Sequence, residues 1–549
     1  MAVDVVVTKG NNEPVLSLRA QDFQVLEDGK PQAIDLFEEH SAPAGAAAPI
    51  PLQLPPHVFT NQPISPHGDS VNLLLLDGLN TPEADQAFVH KQLADFIQNI
   101  QPGTRIAIYS LNARLRLLQG FTADSSLLRA ALSGRGAAPG TTTVSRTRDD
   151  DLRDKEDLSI VGAMSNTGGA DAGIAVKSMA SSLQEQASTQ AGQRSTITLA
   201  ALQQLARALA AIPGRKNLIW FASSFPVSIF PNGDKQQTLA NGKDIGEAVR
   251  RTADLLTQAK VAVYPVSAQG ILLDRTTNAD SGGQPTGDDF ERNAIQEAPA
   301  NAANTAAMEQ LARDTGGEAL YISNNLNQSV ARAIQNGSHY YTLTYTPPSA
   351  RMDGKFHRIE VRLTEGKAKL AYRRGYYADD ARDEKAGSGG KPAADPLPPL
   401  MAPGLPDSTQ IVYQTRAMPL TPQPAAGDPR AGGNAKLSGA LTRYKVDLVI
   451  NPTTVSLELA PDLTHNGKIE VALVAYDQAG KPVNWNGQTL ALVLDPNSYA
   501  QVQRVGIPVH LQIDLPRADL SLSTGVYDLT THKAGTLEIA IAAQSGAAP

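Results

Sequence analysis

Apolar and polar positions fall into three regimes along the chain. In residues 1–40 they alternate with a period of two: Val3, Val5 and Val7, then Phe23 and Val25, then Ile34 and Leu36. Asp28-Gly29 between two of these runs predicts a hairpin, because that pair tolerates the positive φ of a tight turn. From residue 71 the pattern changes. Residues 71–76 are an apolar run, broken only by Asn72, that ends at Asp77, as in a strand covered on both faces. Thr81-Pro82-Glu83 then reads as N-cap, N1 and N2 of a helix with Val89, Leu93, Phe96, Ile97 and Ile100 on one stripe. Residues 105–111 form a second strand, and 114–118 follow so closely that they must be its antiparallel hairpin partner. Helices are predicted over 124–132, 198–212, 243–258, 305–315 and 326–336, and strands over 217–222, 260–266 and 318–322. The third regime, 440–545, is a succession of alternating runs such as Tyr444-Val446-Leu448-Ile450, with turn residues every ten or so positions.

These patterns give a domain plan. Residues 1–40 are an N-terminal β segment that pairs with a second β segment at 338–378. Residues 41–69 and 379–438, rich in Pro, Gly and Ala, read as linkers. Residues 70–337 are an α/β domain with insertions at 134–195 and 268–300, and 439–545 are an Ig-like antiparallel β-sandwich. Right-handed crossovers turn the α/β region into a doubly wound, Rossmann-like sheet with strand order 3-2-1-4-5-6, the third strand antiparallel. The switch point then lies between the strands ending at Asp77 and at Ala222. The insertions at 134–195, 223–242 and 268–300 emerge at the carboxyl ends of the parallel strands, on the face that bears Asp77.

Composition narrows the function. Of 549 residues, 41% are hydrophobic and 19% charged, enough for sizeable cores and too apolar for a disordered chain. A net charge of −7 argues against a nucleic-acid partner, which needs a basic surface to displace counterions. There are no cysteines, which removes disulfides, thiolate metal sites and thiol nucleophiles. No apolar run approaches the ~18 residues that cross a bilayer as a helix. The opening MAVDVVVTKG has no basic region followed by an apolar core, so the sequence by itself reads either as cytoplasmic or as lacking a trimmed leader.

Four segments carry a family resemblance: DFQVLEDGKPQ (22–32), VNLLLLDGLNT (71–81), PGRKNLIWFASSFP (213–226) and YYTLTYTPPSARMDGKFHRIEVRL (340–363), the last followed by YRRGYYA. Residues 71–336 resemble a von Willebrand factor A domain, and the chain resembles the von Willebrand A-related proteins of acidobacteria. The resemblance implies protein binding and adhesion outside the cytoplasm, in a secreted or periplasmic protein, and does not imply a substrate. It also implies a divalent-cation site with Asp-x-Ser-x-Ser after the first strand, a Thr from a later loop and an Asp after the fourth strand. Mapped here, that site is Asp77, Thr81, Thr196 (or Thr198) and Ser224. Leu79 replaces the first Ser and Ser224 the second Asp, so the site is degenerate. Mg²⁺, which requires oxygen ligands, is then expected to be held weakly or not at all.

Two other readings compete. LLLLDGLNT superficially fits the haloacid-dehalogenase phosphatases, with Asp77 as nucleophile and Ser223 on the phosphate. Leu79, however, stands where the general acid belongs, and no acidic pair follows a later strand. A structural envelope scaffold without a specific ligand is the third. The leading expectation is a non-enzymatic protein whose α/β domain presents its Asp77 face to a protein ligand.

Overall fold

The computed structural model describes residues 1–10, 13–41, 54–62, 70–100, 103–133, 192–223, 238–267, 308–320, 326–347, 355–378, 397–423 and 428–542. Its α/β unit is built on a five-stranded sheet in the order Val261–Ser267, Arg215–Ala222, Ser70–Asp77, Ile106–Leu111, Leu115–Thr122. The first four strands run parallel, and the last folds back antiparallel on its neighbour. The apolar run of the central strand follows from burial on both faces. Leu73 and Leu75 pack with Leu199, Leu202, Leu205 and Trp220 on one side. Leu74 and Leu76 pack with Val89, Leu93, Phe96 and Ile97 of the helix Glu83–Gln98 on the other. Helices over 192–209 and Thr238–Gln258 cover the first side, and Leu326–Ser338 joins the second. Where the sequence predicts a sixth strand, over 318–322, the described chain shows one parallel bridge, Leu320 to Val266. Most of the three insertions lies outside the described residues.

The first 41 residues and the chain after the α/β unit share two four-stranded sheets. One contains Ala2–Thr8, His339–Thr344, Leu36–Ser41 and Lys369–Ala371, and the other Phe23–Glu27, Phe356–Leu363, Lys30–Gln32 and Gly375–Tyr377. Val3, Val5 and Val7 meet Val25, Leu343, Ile359 and Val361 between them. The Asp28-Gly29 turn has φ of 49° and 79°, the left-handed pair that matches a hairpin's twist.

The C-terminal unit departs from the sequence reading. The stretches 41–69 and 379–438 are not plain linkers, since each supplies a strand to the sandwich. Tyr413–Pro419 pairs with Leu441–Ile450 on one side and with Val58–Thr60 on the other. Tyr413, Thr415 and Ala417 alternate inward, a short period-two signal masked by the surrounding Pro and Gly. The alternating positions Val455, Leu457 and Leu459 yield only the short strand Glu458–Leu459, which follows a 3₁₀ turn over Pro452–Thr454. A second sheet centred on His465–Tyr476 and Leu520–Asp528 closes the core.

A buried polar seam joins the units. Asn61 Nδ2 donates to Ser408 O and Ile411 O, both at 2.8 Å, and Asn61 Oδ1 accepts from Tyr413 N. Gln204, on the helix over 192–209, donates to Pro406 O at 2.7 Å, and Thr409 N donates to Arg207 O of that helix. Asn61→Ala would leave Ile411 O and Tyr413 N–H without their partner in a buried place, while Ser408 O keeps Thr536 N. The expected cost is about 3 kcal/mol in urea unfolding followed by circular dichroism; a cost below about 1 kcal/mol would show that the seam is not structural.

Candidate functional site

The carboxyl ends of the parallel strands meet at Asp77, the last residue of the central strand, whose neighbours connect in opposite directions. The turn that follows is tight. Gly78 N and Leu79 N both donate to Leu111 O of the adjacent strand. A Cβ at position 78 would meet the end of the Asn112 side chain, which would have to move aside. Leu79, in the place of an oxygen ligand, is buried in the core with Leu73, Leu75 and Trp220.

Asp77 is 2% exposed, and N–H groups fill both of its oxygens. Asn80 N donates to Oδ1 at 2.9 Å, Asn80 Nδ2 to Oδ2 at 2.7 Å, and Trp220 Nε1 to Oδ2 at 3.0 Å. Asn80 Nδ2 also donates to Thr198 Oγ1 at 2.9 Å, and Thr198 Oγ1 donates to Arg194 O. One carboxylate therefore ties together the central strand, its turn, the next strand and the helix over 192–209.

A second small network lies beside it. Thr81 Oγ1 accepts from Ser223 N at 3.3 Å, and Ser223 Oγ donates to Asp85 Oδ2 at 2.9 Å. Thr81 does not cap the helix as its sequence suggested. Pro82 takes the N-cap position with no side-chain cap, and the Thr81 carbonyl accepts from Gln86 Nε2.

Of the four residues mapped from the sequence, Asp77 and Thr81 thus stand in one turn. Thr196 does not join them: it is exposed and returns its hydroxyl to Gly192 O of its own helix. Thr198, the other candidate in that segment, is the one that reaches the Asp77 network. Ser224 lies outside the described residues. Sequence reasoning missed Asn80, Trp220 and Asp85. The two partners of Asp77 carry N–H donors where the resemblance calls for oxygens, so a search for ligands passes over them.

Burial pushes the Asp77 carboxyl up to about 6, against the pull of the Asn80 and Trp220 donors. A second acidic grouping, Glu27, Asp28 and His357, sits in the flanking β unit with its ligand atoms within 4.8 Å of one another. It is tied into the fold: Tyr345 OH donates to Glu27 at 2.6 Å, Arg358 N donates to Asp28 at 2.9 Å, and His357 Nδ1 lies 2.9 Å from Asp28.

No protein-family model matches the chain, and no curated protein matches it. Solved structures with which it can be aligned include a von Willebrand factor type A protein from Catenulispora acidiphila, 8% identical over 93% of this chain and 74% of that one, with a TM-score of 0.20. Another is an aerotolerance-related membrane protein from Bacteroides fragilis, 10% identical over 49% of this chain and 98% of that one, with a TM-score of 0.25. A third comprises three N-terminal domains of a type V pili tip protein from Porphyromonas gingivalis, 10% identical over 88% and 99%, with a TM-score of 0.23. At these TM-scores none of them bears on what this chain does.

The Asp77 environment makes a signed prediction. The native carboxyl holds its proton up to about pH 6, whereas an unfolded Asp releases it near 3.8. Between those values the native state binds more protons, so this group's contribution to stability falls as pH rises. The difference amounts to about 3 kcal/mol, fully developed above pH 6. In Asp77→Asn that pH dependence is expected to vanish, so the stability of the wild type relative to the variant should drop by about 3 kcal/mol from pH 4 to pH 7. Parallel profiles for the two proteins would contradict it. Trp220→Phe, which keeps most of the ring and removes the N–H, is expected to move the Asp77 midpoint higher still.

Proposed function

We propose that this chain is a non-enzymatic protein-binding or adhesion-type protein, that its α/β unit is of the von Willebrand A type, and that it binds a protein ligand through the rim around Asp77 without relying on a divalent cation. The single observation that carries this reading is the state of Asp77. A carboxylate at the switch point is where a doubly wound sheet places its chemistry. Here it is buried and both oxygens accept N–H bonds. A nucleophile needs a lone pair that substrate can approach, so the phosphatase reading has no support from this geometry. A divalent cation needs oxygens turned toward it. Around Asp77 the turned groups are N–H donors, and Thr81, Thr198 and Ser223 each have a hydrogen-bond partner already. Mg²⁺ is therefore weak or absent in this reading.

The strands Arg215–Ala222 and Val261–Ser267 run parallel to the central strand and end on the same side of the sheet as Asp77, and the sequence reading puts long insertions after both. Long segments attached to one edge of a rigid sheet are the common arrangement of a recognition face. Among the described residues no helix is long and apolar enough to cross a membrane. An extracytoplasmic location is part of the proposal and rests on the family resemblance.

The test is affinity capture from a cell-envelope extract, with and without chelator, alongside calorimetric titration with Mg²⁺. The expected results are a partner retained in chelator, a partner lost when 134–191 is replaced by a short Gly-Ser linker, and no heat with Mg²⁺. A partner released by chelator, with Mg²⁺ binding that disappears in Asp77→Ala, would overturn the cation-independent reading. The lack of any partner would favour the scaffold.

A further inference from the structure

The opposite pole of the α/β unit, where the parallel strands begin, holds a cavity of about 30 Å³. Arg215, Lys260, Val261, Thr257 and Thr315 line it from the α/β unit, and Ala2, Asp4 and Arg373 from the flanking β unit. That volume admits about two water molecules. Three of the lining residues are cationic and one is acidic.

The arginines are the unusual part. Arg215 is 2% exposed, and its Nε–H, fully buried, makes no hydrogen bond. Its Nη2 donates to Gly316 O at 2.6 Å and to Tyr264 OH at 3.3 Å, so the guanidinium is fixed with one edge unsatisfied. The Nε–H of Arg373 is likewise buried and without a partner, while its Nη2 rests on Met1 Sδ. Neither arginine forms an ion pair with a carboxylate among the described residues. Asp4, the acid that lines the cavity, accepts from Thr342 Oγ1 at 2.8 Å, and its charge reaches both arginines without a direct ion pair. Two buried guanidinium groups sharing one carboxylate at a distance, each with an idle N–H, leave room for a further acceptor that carries negative charge. Lys216, 1% exposed and bonded through Nζ to Ala259 O at 2.7 Å, is pulled down to about 7, first by burial and then by the charge of Lys260, with Asp4 opposing.

We propose that this cavity is a binding site for a small tetrahedral oxyanion, of the phosphate or sulfate class, held between Arg215 and Arg373 with Lys260 adding charge. Guanidinium N–H groups match such oxygens in geometry and form short, charge-assisted bonds to them. An oxyanion there touches both the α/β unit and the flanking β unit, so its binding locks the two together. The site lies away from the Asp77 rim, and its test is independent of the proposed partner.

The probe is inorganic phosphate, with sulfate, acetate and chloride as comparisons at equal ionic strength. Thermal unfolding in about 20 mM phosphate or sulfate is expected to lie a few degrees above that in chloride, since a ligand of the native state alone raises the midpoint. Calorimetric titration should show one phosphate per chain. Arg215 holds Gly316, so Arg373→Gln is the variant to use. It is expected to weaken phosphate at least about tenfold, the loss of a charge-assisted contact. Lys260→Gln, an exposed position, should weaken it by a smaller factor with the fold intact. Equal midpoints in phosphate and chloride with no titration heat would mean that the cavity holds only water and would overturn the proposal. Acetate matching phosphate would overturn the tetrahedral assignment.

Discussion

A carboxylate at the end of a strand that is covered on both faces loses its water, which raises its hold on a proton and leaves its ionised form in need of donors. Asn80 and Trp220 supply those donors, and the arrangement of the rim follows from that constraint. Asn80 has to turn back toward Asp77, which fixes the turn 77–81. Trp220 has to bring its indole N–H across from the adjacent strand, which fixes the ring in the core. Thr198 completes the chain of bonds and anchors the helix over 192–209. A buried network of this kind is worth more as a specification of geometry than as net stability, because each group it satisfies was first removed from water.

The two ends of the parallel sheet are used differently. At the amino ends the flanking β unit packs closely. A Cβ at Gly316 would lie 3.0 Å from Arg373 N and Tyr372 C of the flanking unit, and Arg215 N donates to Tyr340 OH. The sandwich attaches to one flank, through Gln204, Arg207 and Ala208 of the helix over 192–209. The C-terminal unit also reaches the hairpin that holds the turn 77–81, where Arg114 Nη1 donates to Pro403 O at 3.0 Å.

Legibility in the sequence followed the strength of local pattern. The run 71–76 and the alternation of Val3, Val5 and Val7 announce strands, and their burial partners in the structure are those that a two-sided and a one-sided strand require. Tyr413, Thr415 and Ala417 were passed over because three inward positions among many Pro and Gly residues give a weak signal, and Val58–Thr60 weaker still. The site was half legible. Asp77 and Thr81 are adjacent in sequence, so their proximity is a local fact. The choice between Thr196 and Thr198 depends on which face of a helix meets the turn, and that is set by tertiary packing. The role of Trp220 depends on a parallel register, Leu75 opposite Trp220, that no single-strand pattern encodes.

Leu79 and Trp220 are best understood together. An oxygen at 79 would face the apolar cluster of Leu73, Leu75 and Trp220, where a hydroxyl without a partner is costly. Leucine removes that cost and fills the space. It also leaves the neighbouring carboxylate with one fewer oxygen beside it, the setting in which a cation is hardest to hold. The indole N–H then provides what a cation would otherwise have provided, positive charge density on Oδ2, without any exchangeable ligand. Leu79 and Trp220 therefore act together: one fills the core without a polar group to satisfy, the other supplies the donor that Asp77 needs, and the geometry of the turn is fixed by the fold.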